Sequence, residues 1–187
     1  MLLLTHGAGS NRNAPLLVAL ADAFLKHNIE VVRYDLPFRQ DRAKGPPRPG
    51  DAARDREGLQ AEIAKLRTKQ PGEVWLGGVS YGGRQASMLA AERPELADRL
   101  LLLSYPLHAP GKPEQLRTAH FPNLRTPVLF VHGSRDPFAT TDELKAAMSL
   151  IPVPARLLEI EGAGHDLGRN PGAVASQVVS AFLELHS

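Results

Sequence analysis

At 187 residues, 43% of them hydrophobic and 22% charged, the chain has the size and composition of a globular unit that can bury a layered core without metal or disulfide support. It contains no cysteine, which excludes disulfide frameworks, thiolate metal sites and a cysteine nucleophile, and suits a reducing cytoplasm, the expected compartment. The formal charge of +2 is too small to imply nucleic acid, the segment 1–6 lacks the basic start and the length of a secretion signal, and no apolar run approaches a membrane span.

Short apolar runs alternate with helical patterns along the whole chain, the signature of parallel strands joined by crossover helices. The expected fold class is therefore α/β: a three-layer α/β/α sandwich around a mostly parallel sheet of about six strands, forming a single domain over residues 1–187 with no separate cap. The strand candidates, in chain order, are 2–5, 30–34, 74–77, 100–103, 128–132 and 156–160. Runs such as Val128-Leu129-Phe130-Val131 are apolar on both faces and belong inside a covered sheet, whereas Arg156 and Glu159 mark the last strand as an edge. Asn13 with Pro15 opens the first helix, with Leu16, Leu20 and Phe24 as its core stripe. Leu59, Ile63 and Leu66 line the next, Leu144, Ala147 and Met148 a later one, and Val174, Val178 and Phe182 the last. The mixed-charge stretch from Arg39 to Arg56, with the Pro- and Gly-rich run 45–50 inside it, reads as a solvated loop. The proline-bearing segment 105–125 reads as a loop too short to fold as a cap.

The chemistry concentrates at strand ends. Gly78-Val79-Ser80-Tyr81-Gly82 follows the third strand and precedes a helix, the context in which a G-x-S-x-G turn exposes a serine nucleophile. A serine there needs near-absent side chains two residues before and two after, which Gly78 and Gly82 provide. A phosphate loop is excluded because Arg84 and Gln85 stand where lysine and a hydroxyl residue are required, and no dinucleotide fingerprint is present. A plain glycine-rich turn remains as the alternative at this point.

A serine hydroxyl needs a base and an orienting acid, and the α/β-hydrolases, which this strand, G-x-S-x-G turn and helix resemble, carry the acid and then the histidine after the serine. Asp136, just beyond the fifth strand, and His165, just beyond the sixth, meet that order. Asp142 and Glu143 are fallback acids but read as first-turn helix residues. Of the other histidines, His27 and His186 fall in or beside helices, His108 and His120 lie in the irregular segment, and His132 precedes the acid. The turn Thr5-His6-Gly7-Ala8-Gly9-Ser10 after the first strand is the candidate oxyanion turn. Its Ala8 N–H and the Tyr81 N–H would hold the developing charge, and His6 would be a structural hydrogen-bonder.

With these motifs in place, His6-Gly7-Ala8-Gly9, Ser80-Tyr81-Gly82-Gly83-Arg84, His132-Gly133-Ser134-Arg135-Asp136-Pro137 and Gly164-His165-Asp166, the chain resembles the α/β-hydrolases over its whole length. Locally it is similar to their small, capless, dienelactone-hydrolase-like branch. The resemblance implies a serine hydrolase acting on small esters or thioesters, with amides as a further class, through Ser80, His165 and Asp136. It implies no metal or organic cofactor, a small-molecule acyl substrate, and neither nucleic acid nor membrane as partner. A non-catalytic module that keeps the fold, as in a eukaryotic relative that serves a chromatin complex, and an acyltransferase are the alternatives. Without a cap, the site is expected to be shallow and open, with 105–121 as one wall and His108 or Lys112 meeting a polar group there. The usual fold has two strands before the one that Met1 opens here. Their lack would leave the strand at 30–34 as a bare edge, a surface through which a dimer could form.

Overall fold

The computed structural model describes residues 1–69 and 71–185, so His186 lies outside the described residues. Six strands, β1 (Leu2–Thr5), β2 (Val31–Tyr34), β3 (Trp75–Val79), β4 (Arg99–Leu103), β5 (Val128–Gly133) and β6 (Ala155–Ile160), form one sheet in the order β2-β1-β3-β4-β5-β6. All five pairings are parallel. The chain therefore runs outward from β1 to one edge, crosses back, and runs outward from β3 to the other. The carboxyl ends of β1 and β3 flank the point where the winding reverses, where open α/β sheets leave a crevice.

The period-2 alternation of strands sorts consecutive apolar residues onto opposite faces. Leu3, Leu76, Leu102 and Phe130 pack with α3 (Asp51–Lys69), α4 (Tyr81–Glu92) and α5 (Thr141–Met148). Leu2, Leu4, Leu103 and Val131 pack with α1 (Pro15–Leu25) and α6 (Pro171–Leu183). Both faces are covered, so three layers result, and each fully buried leucine contributes about 1.5–3 kcal/mol. An aromatic knot of Phe24, Trp75 and Phe182, with ring centroids 5.3–6.5 Å apart, joins α1, β3 and α6. Among the described residues no helix is long and apolar enough to cross a membrane.

Two readings of the sequence are corrected. The stretch 39–56 is not a solvated loop: it holds α2 (Pro37–Asp41) and the start of α3, with Arg39 only 7% exposed and Asp55 fully buried. Alternating signs there reflect buried, satisfied groups as well as solvated ones. Helix α1 begins at Pro15 with Ala14, not Asn13, as its cap, and its core stripe is Leu17, Leu20 and Phe24. That rotation by one residue leaves Leu16 half-buried at the mouth of the crevice. The segment 105–125 has no regular structure beyond a short 3-10 turn at Phe121–Asn123, yet it is anchored. Tyr105 and Phe121 are buried and stack around Phe130 with centroids 5.4–5.9 Å apart.

Candidate active site

The turn from β3 into α4 brings Ser80 to the crevice with φ 51° and ψ −116°, a conformation that an L-residue adopts only under constraint. The constraint is visible on both sides. The Ser80 N–H donates to Leu103 O at 2.8 Å, and the Arg84 N–H returns to Ser80 O at 2.9 Å to start the helix. A Cβ on Gly78 would lie 2.6 Å from Gly82 C, and one on Gly82 would strike the His6 carbonyl and Thr5 Cγ2. Gly83 is as constrained as the other two, since its Cβ would sit 2.6 Å from Gly78 O.

His165 Nε2 lies 2.8 Å from Ser80 Oγ, and His165 Nδ1 lies 2.7 Å from Asp136 Oδ2. Three residues separated by up to 85 positions thus form one hydrogen-bonded line. Asp136 is almost fully buried. Its second oxygen accepts the Phe138 N–H at 2.9 Å, so the carboxylate presents a fixed face to the imidazole. Phe138 lies against the His165 ring at 4.2 Å between centroids and holds its plane. The loops carrying Asp136 and His165 meet closely because Gly133 has no side chain: a Cβ there would run into the Ala163 and Gly164 carbonyls. Of the fallback acids, Glu143 is committed to a capping box with Thr140 at the start of α5, and Asp142 lies in the same first turn.

The turn after β1 lies against the serine, since a Cβ on Gly7 would be 3.5 Å from Ser80 Cβ. Neither the Ala8 nor the Tyr81 N–H donates to another backbone group among the described residues, which leaves both free for a ligand. His6, fully buried, has Nδ1 2.8 Å from Gly7 O and Nε2 3.1 Å from the Leu36 N–H. Those partners make Nδ1 the donor and Nε2 the acceptor, the neutral form. Burial lowers its pKa, opposed in part by the Gly7 carbonyl. It is a brace, as expected from the sequence.

Two supports have no counterpart among the sequence motifs. Arg39 donates from Nη2 to Ala8 O at 2.8 Å and to Gly45 O at 2.9 Å, from Nε to Ser10 O at 2.8 Å, and from Nη1 to Arg42 O at 3.0 Å. One guanidinium thereby fixes two carbonyls of the turn that carries the Ala8 N–H. Asp55, on α3, accepts the Phe38 N–H at 3.0 Å and the Tyr81 hydroxyl at 2.7 Å, tying the residue after Ser80 to α2 and α3. Burial raises the pKa of Asp55, opposed by those two hydrogen bonds. The only sequence signal for either group is that each stands in a helical register beside apolar residues.

A cleft of about 640 Å³ opens beside His165. Ala14, Pro15, Leu16, Val79 and Pro171 form its apolar walls, and Asp166 and Arg169 stand at its polar side. The expected wall at 105–121 does not line it. His108 is buried, bonded to Ala109 O and facing Glu143 at 3.4 Å, and Lys112 is exposed elsewhere. A segment that follows β4 starts near the crevice, but the aromatic residues of this one pull it down onto the core.

Residues 1–180 match the family described as alpha/beta hydrolase domain. The chain belongs to that family. Among solved structures, this hydrolase-family chain shares its fold with dienelactone hydrolase from Anabaena variabilis, at 21% identity over 99% of this chain and 86% of that one, TM-score 0.79. An alpha-beta serine hydrolase homologue from Coxiella burnetii aligns over 97% of this chain and 84% of that one, at 18% identity and TM-score 0.79. A lidless serine hydrolase from Xanthomonas campestris aligns over 100% and 84%, at 15% identity and TM-score 0.70. In sequence, a 67-residue stretch is 42% identical to the polyketide synthase ThaQ of Burkholderia thailandensis, covering 36% of this chain and 3% of that much longer protein.

Proposed function

We propose that the protein is a serine hydrolase that cleaves small esters or thioesters through an acyl-enzyme on Ser80. The observation that carries this reading is the line from Ser80 Oγ through His165 to Asp136, with contacts of 2.8 and 2.7 Å, anchored on a serine held at φ 51°.

In the first step, His165 Nε2 takes the Ser80 hydroxyl proton as Oγ bonds to the carbonyl carbon of the substrate. The carbonyl π pair moves to oxygen, and the resulting oxyanion is received by the Ala8 and Tyr81 N–H groups, each worth roughly 3–4 kcal/mol in such sites. Asp136 holds the imidazole with Nδ1–H toward itself and stabilises the imidazolium that forms. The tetrahedral centre collapses, the bond to the leaving oxygen or sulfur breaks, and the leaving group departs with the proton from Nε2. Water then enters, gives its proton to Nε2 and attacks the acyl carbon. Collapse releases the acid and returns the proton to Ser80 Oγ.

The cleft supports an apolar substrate portion larger than an acetyl group, lying along Leu16 and Pro171. The test combines a fluorophosphonate probe with a panel of esters, thioesters and amides graded in chain length, applied to wild type and Ser80→Ala. Labelling and turnover should both vanish in the variant. Equal labelling of the two proteins, or none of wild type, would refute the proposal. Products formed with added alcohols or amines would redirect it toward acyl transfer.

A further inference from the structure

Where the segment after β4 meets α4, a second group of polar residues has no part in the mechanism above. Arg84 begins the first full turn after Ser80. The Tyr105 hydroxyl donates to Arg117 O at 2.7 Å, and the Arg84 charge is felt at Tyr105, Arg117 and His120. His120 Nε2 is 2.8 Å from Ser87 Oγ, which itself donates to Arg84 O at 3.0 Å, so the three positions are tied together.

What this cluster lacks is negative charge. Among the described residues no carboxylate forms an ion pair with Arg84 or Arg117; Glu92, nearby, sits on Arg56 at 3.4 Å. Arg84 Nε is buried without a hydrogen-bond partner. So is Nε2 of the fully buried Gln85, whose Oε1 accepts from Arg56 at 3.0 Å. Of the five N–H donors of Arg117, one is taken by Pro106 O at 3.2 Å. The electrostatic consequence is visible. Burial first and then the Arg84 charge hold the Arg117 guanidinium below the usual arginine range. Burial, Arg84 and Arg56 together push His120 down to about 4. Half-buried like charges with unused donors are costly as they stand, and a bound anion would satisfy both the charge and the donors.

We propose that Arg84 and Arg117, with His120 beside them, form a subsite for an oxyanion, a carboxylate or phosphate group, one helical turn from Ser80. The planar donor forks of two arginines match the oxygens of such a group, which a single ammonium would not. The binding of an anion does not depend on the hydrolase reading; its being carried by the substrate rests on that reading.

The first arm titrates inorganic phosphate into the intact protein by calorimetry at constant ionic strength, with chloride as the control. Saturable binding is expected in wild type, weakened about tenfold by Arg84→Gln and by Arg117→Gln, the loss of one charge-assisted contact. Arg84→Lys, which keeps the charge but not the fork, should fall between. Thermal melts with and without phosphate are read as the increment phosphate adds, which a merely destabilised variant retains. No saturable binding to wild type, or equal affinity and increment in both glutamine variants, overturns the subsite. The second arm compares two esters of equal length, one ending in a carboxylate and one in a carboxamide. A kcat/KM ratio favouring the carboxylate in wild type, and falling toward one in Arg84→Gln, assigns the anion to the substrate. A ratio near one with phosphate still bound assigns the subsite to a free anion. Phosphate binding with neither ester cleaved keeps the subsite and removes support for the hydrolase reading.

Discussion

The two sides of the crevice are built differently. On one, Ser80, His165 and Asp136 converge from three separate loops, and each makes the contact for which its residue type is required. On the other, the Gly7–Ser10 turn contributes only backbone; a buried arginine holds its Ala8 and Ser10 carbonyls, and a buried aspartate on α3 holds the neighbouring Tyr81 side chain. On the proposed function the first side carries chemistry with little redundancy, so its residues are fixed in type. The second is positioning, and many side chains could in principle do it. That contrast predicts a hierarchy of effects when either side is altered.

The largest expected effect is on the first side. Asp136→Asn keeps the shape of the carboxylate but presents an amide to His165 Nδ1, which favours the wrong tautomer. A fall in kcat of about 10⁴ is expected from a triad of this type. Fluorophosphonate labelling rates and ester turnover measure it. A variant within tenfold of wild type would mean that Asp136 does not orient the base, and the comparison between the two sides would collapse.

Arg39 comes next. Lysine cannot reach the Ala8, Ser10, Arg42 and Gly45 carbonyls together, so both Arg39→Lys and Arg39→Ala should let the oxyanion turn relax. Displacing the Ala8 N–H by about an ångström should cost on the order of 10²-fold in kcat with KM little changed, because the donor acts in the transition state. Steady-state kinetics on a neutral ester separates this from general damage, which a urea titration records. A drop confined to stability would show that Arg39 is a fold residue only.

How legible these parts are in the sequence follows the same division. All six strands are visible because short β-branched and leucine-rich runs bounded by turn residues fit a doubly covered sheet and little else, and their boundaries shift by no more than two residues. The grouping of Ser80, His165 and Asp136 is visible because the proposed chemistry restricts residue type and chain order. Arg39 and Asp55 are not, because a charged residue among charged neighbours has the same local pattern whether solvated or buried. Tertiary contacts set them apart: Arg39 lies over the Phe38 ring at 4.9 Å, and Asp55 accepts from the Phe38 N–H and the Tyr81 hydroxyl. Leu16 is misplaced for a related reason: at the first turn of a helix, periodicity cannot tell the core from the lip of a cleft.

Asp55 gives a smaller and more diagnostic effect. Asp55→Ala leaves the Phe38 N–H and the Tyr81 hydroxyl without their acceptor in a buried place, and about 2–4 kcal/mol of stability should be lost, from roughly 1–3 kcal/mol for an unsatisfied buried group and the cavity. Asp55→Asn can keep both contacts, accepting from Phe38 through Oδ1 and donating to the Tyr81 oxygen through Nδ2. It should therefore lose about 1 kcal/mol or less. Chemical denaturation of the two variants decides the matter, and equal losses would show that the negative charge, not the hydrogen bonds, is what the site uses.

The smallest effect is a dependence of stability on pH. Burial lowers the pKa of His6 and His132, and His120 is pushed down to about 4. The unfolded chain takes up protons on these histidines as pH falls through about 6.5, while the folded chain keeps them neutral. The unfolded state then binds more protons, so stability is full above about pH 7 and declines below about 6.5. The slope is at most about 1.4 kcal/mol per pH unit for each histidine. Asp55 works with the opposite sign: its raised pKa lets the folded state bind a proton first, which softens the loss nearer the carboxylate range. His132 is the cleanest place to test this, since it is fully buried, neither ring nitrogen has a hydrogen-bond partner, and its nearest charge is Asp136 at 4.0 Å. His132→Leu removes the titrating group and two unsatisfied polar atoms for a side chain of similar bulk. Urea midpoints between about pH 7.5 and 5 should fall less steeply than in wild type, by one histidine's share, and the variant should be at least as stable as wild type at the acid end. An unchanged slope would mean that His132 is protonated in the folded state, where the Asp136 carboxylate at 4.0 Å is the foremost group favouring the charge. In that case the acid of the triad would have a second cationic partner, and the division between a chemical side and a positioning side would run through Asp136 itself.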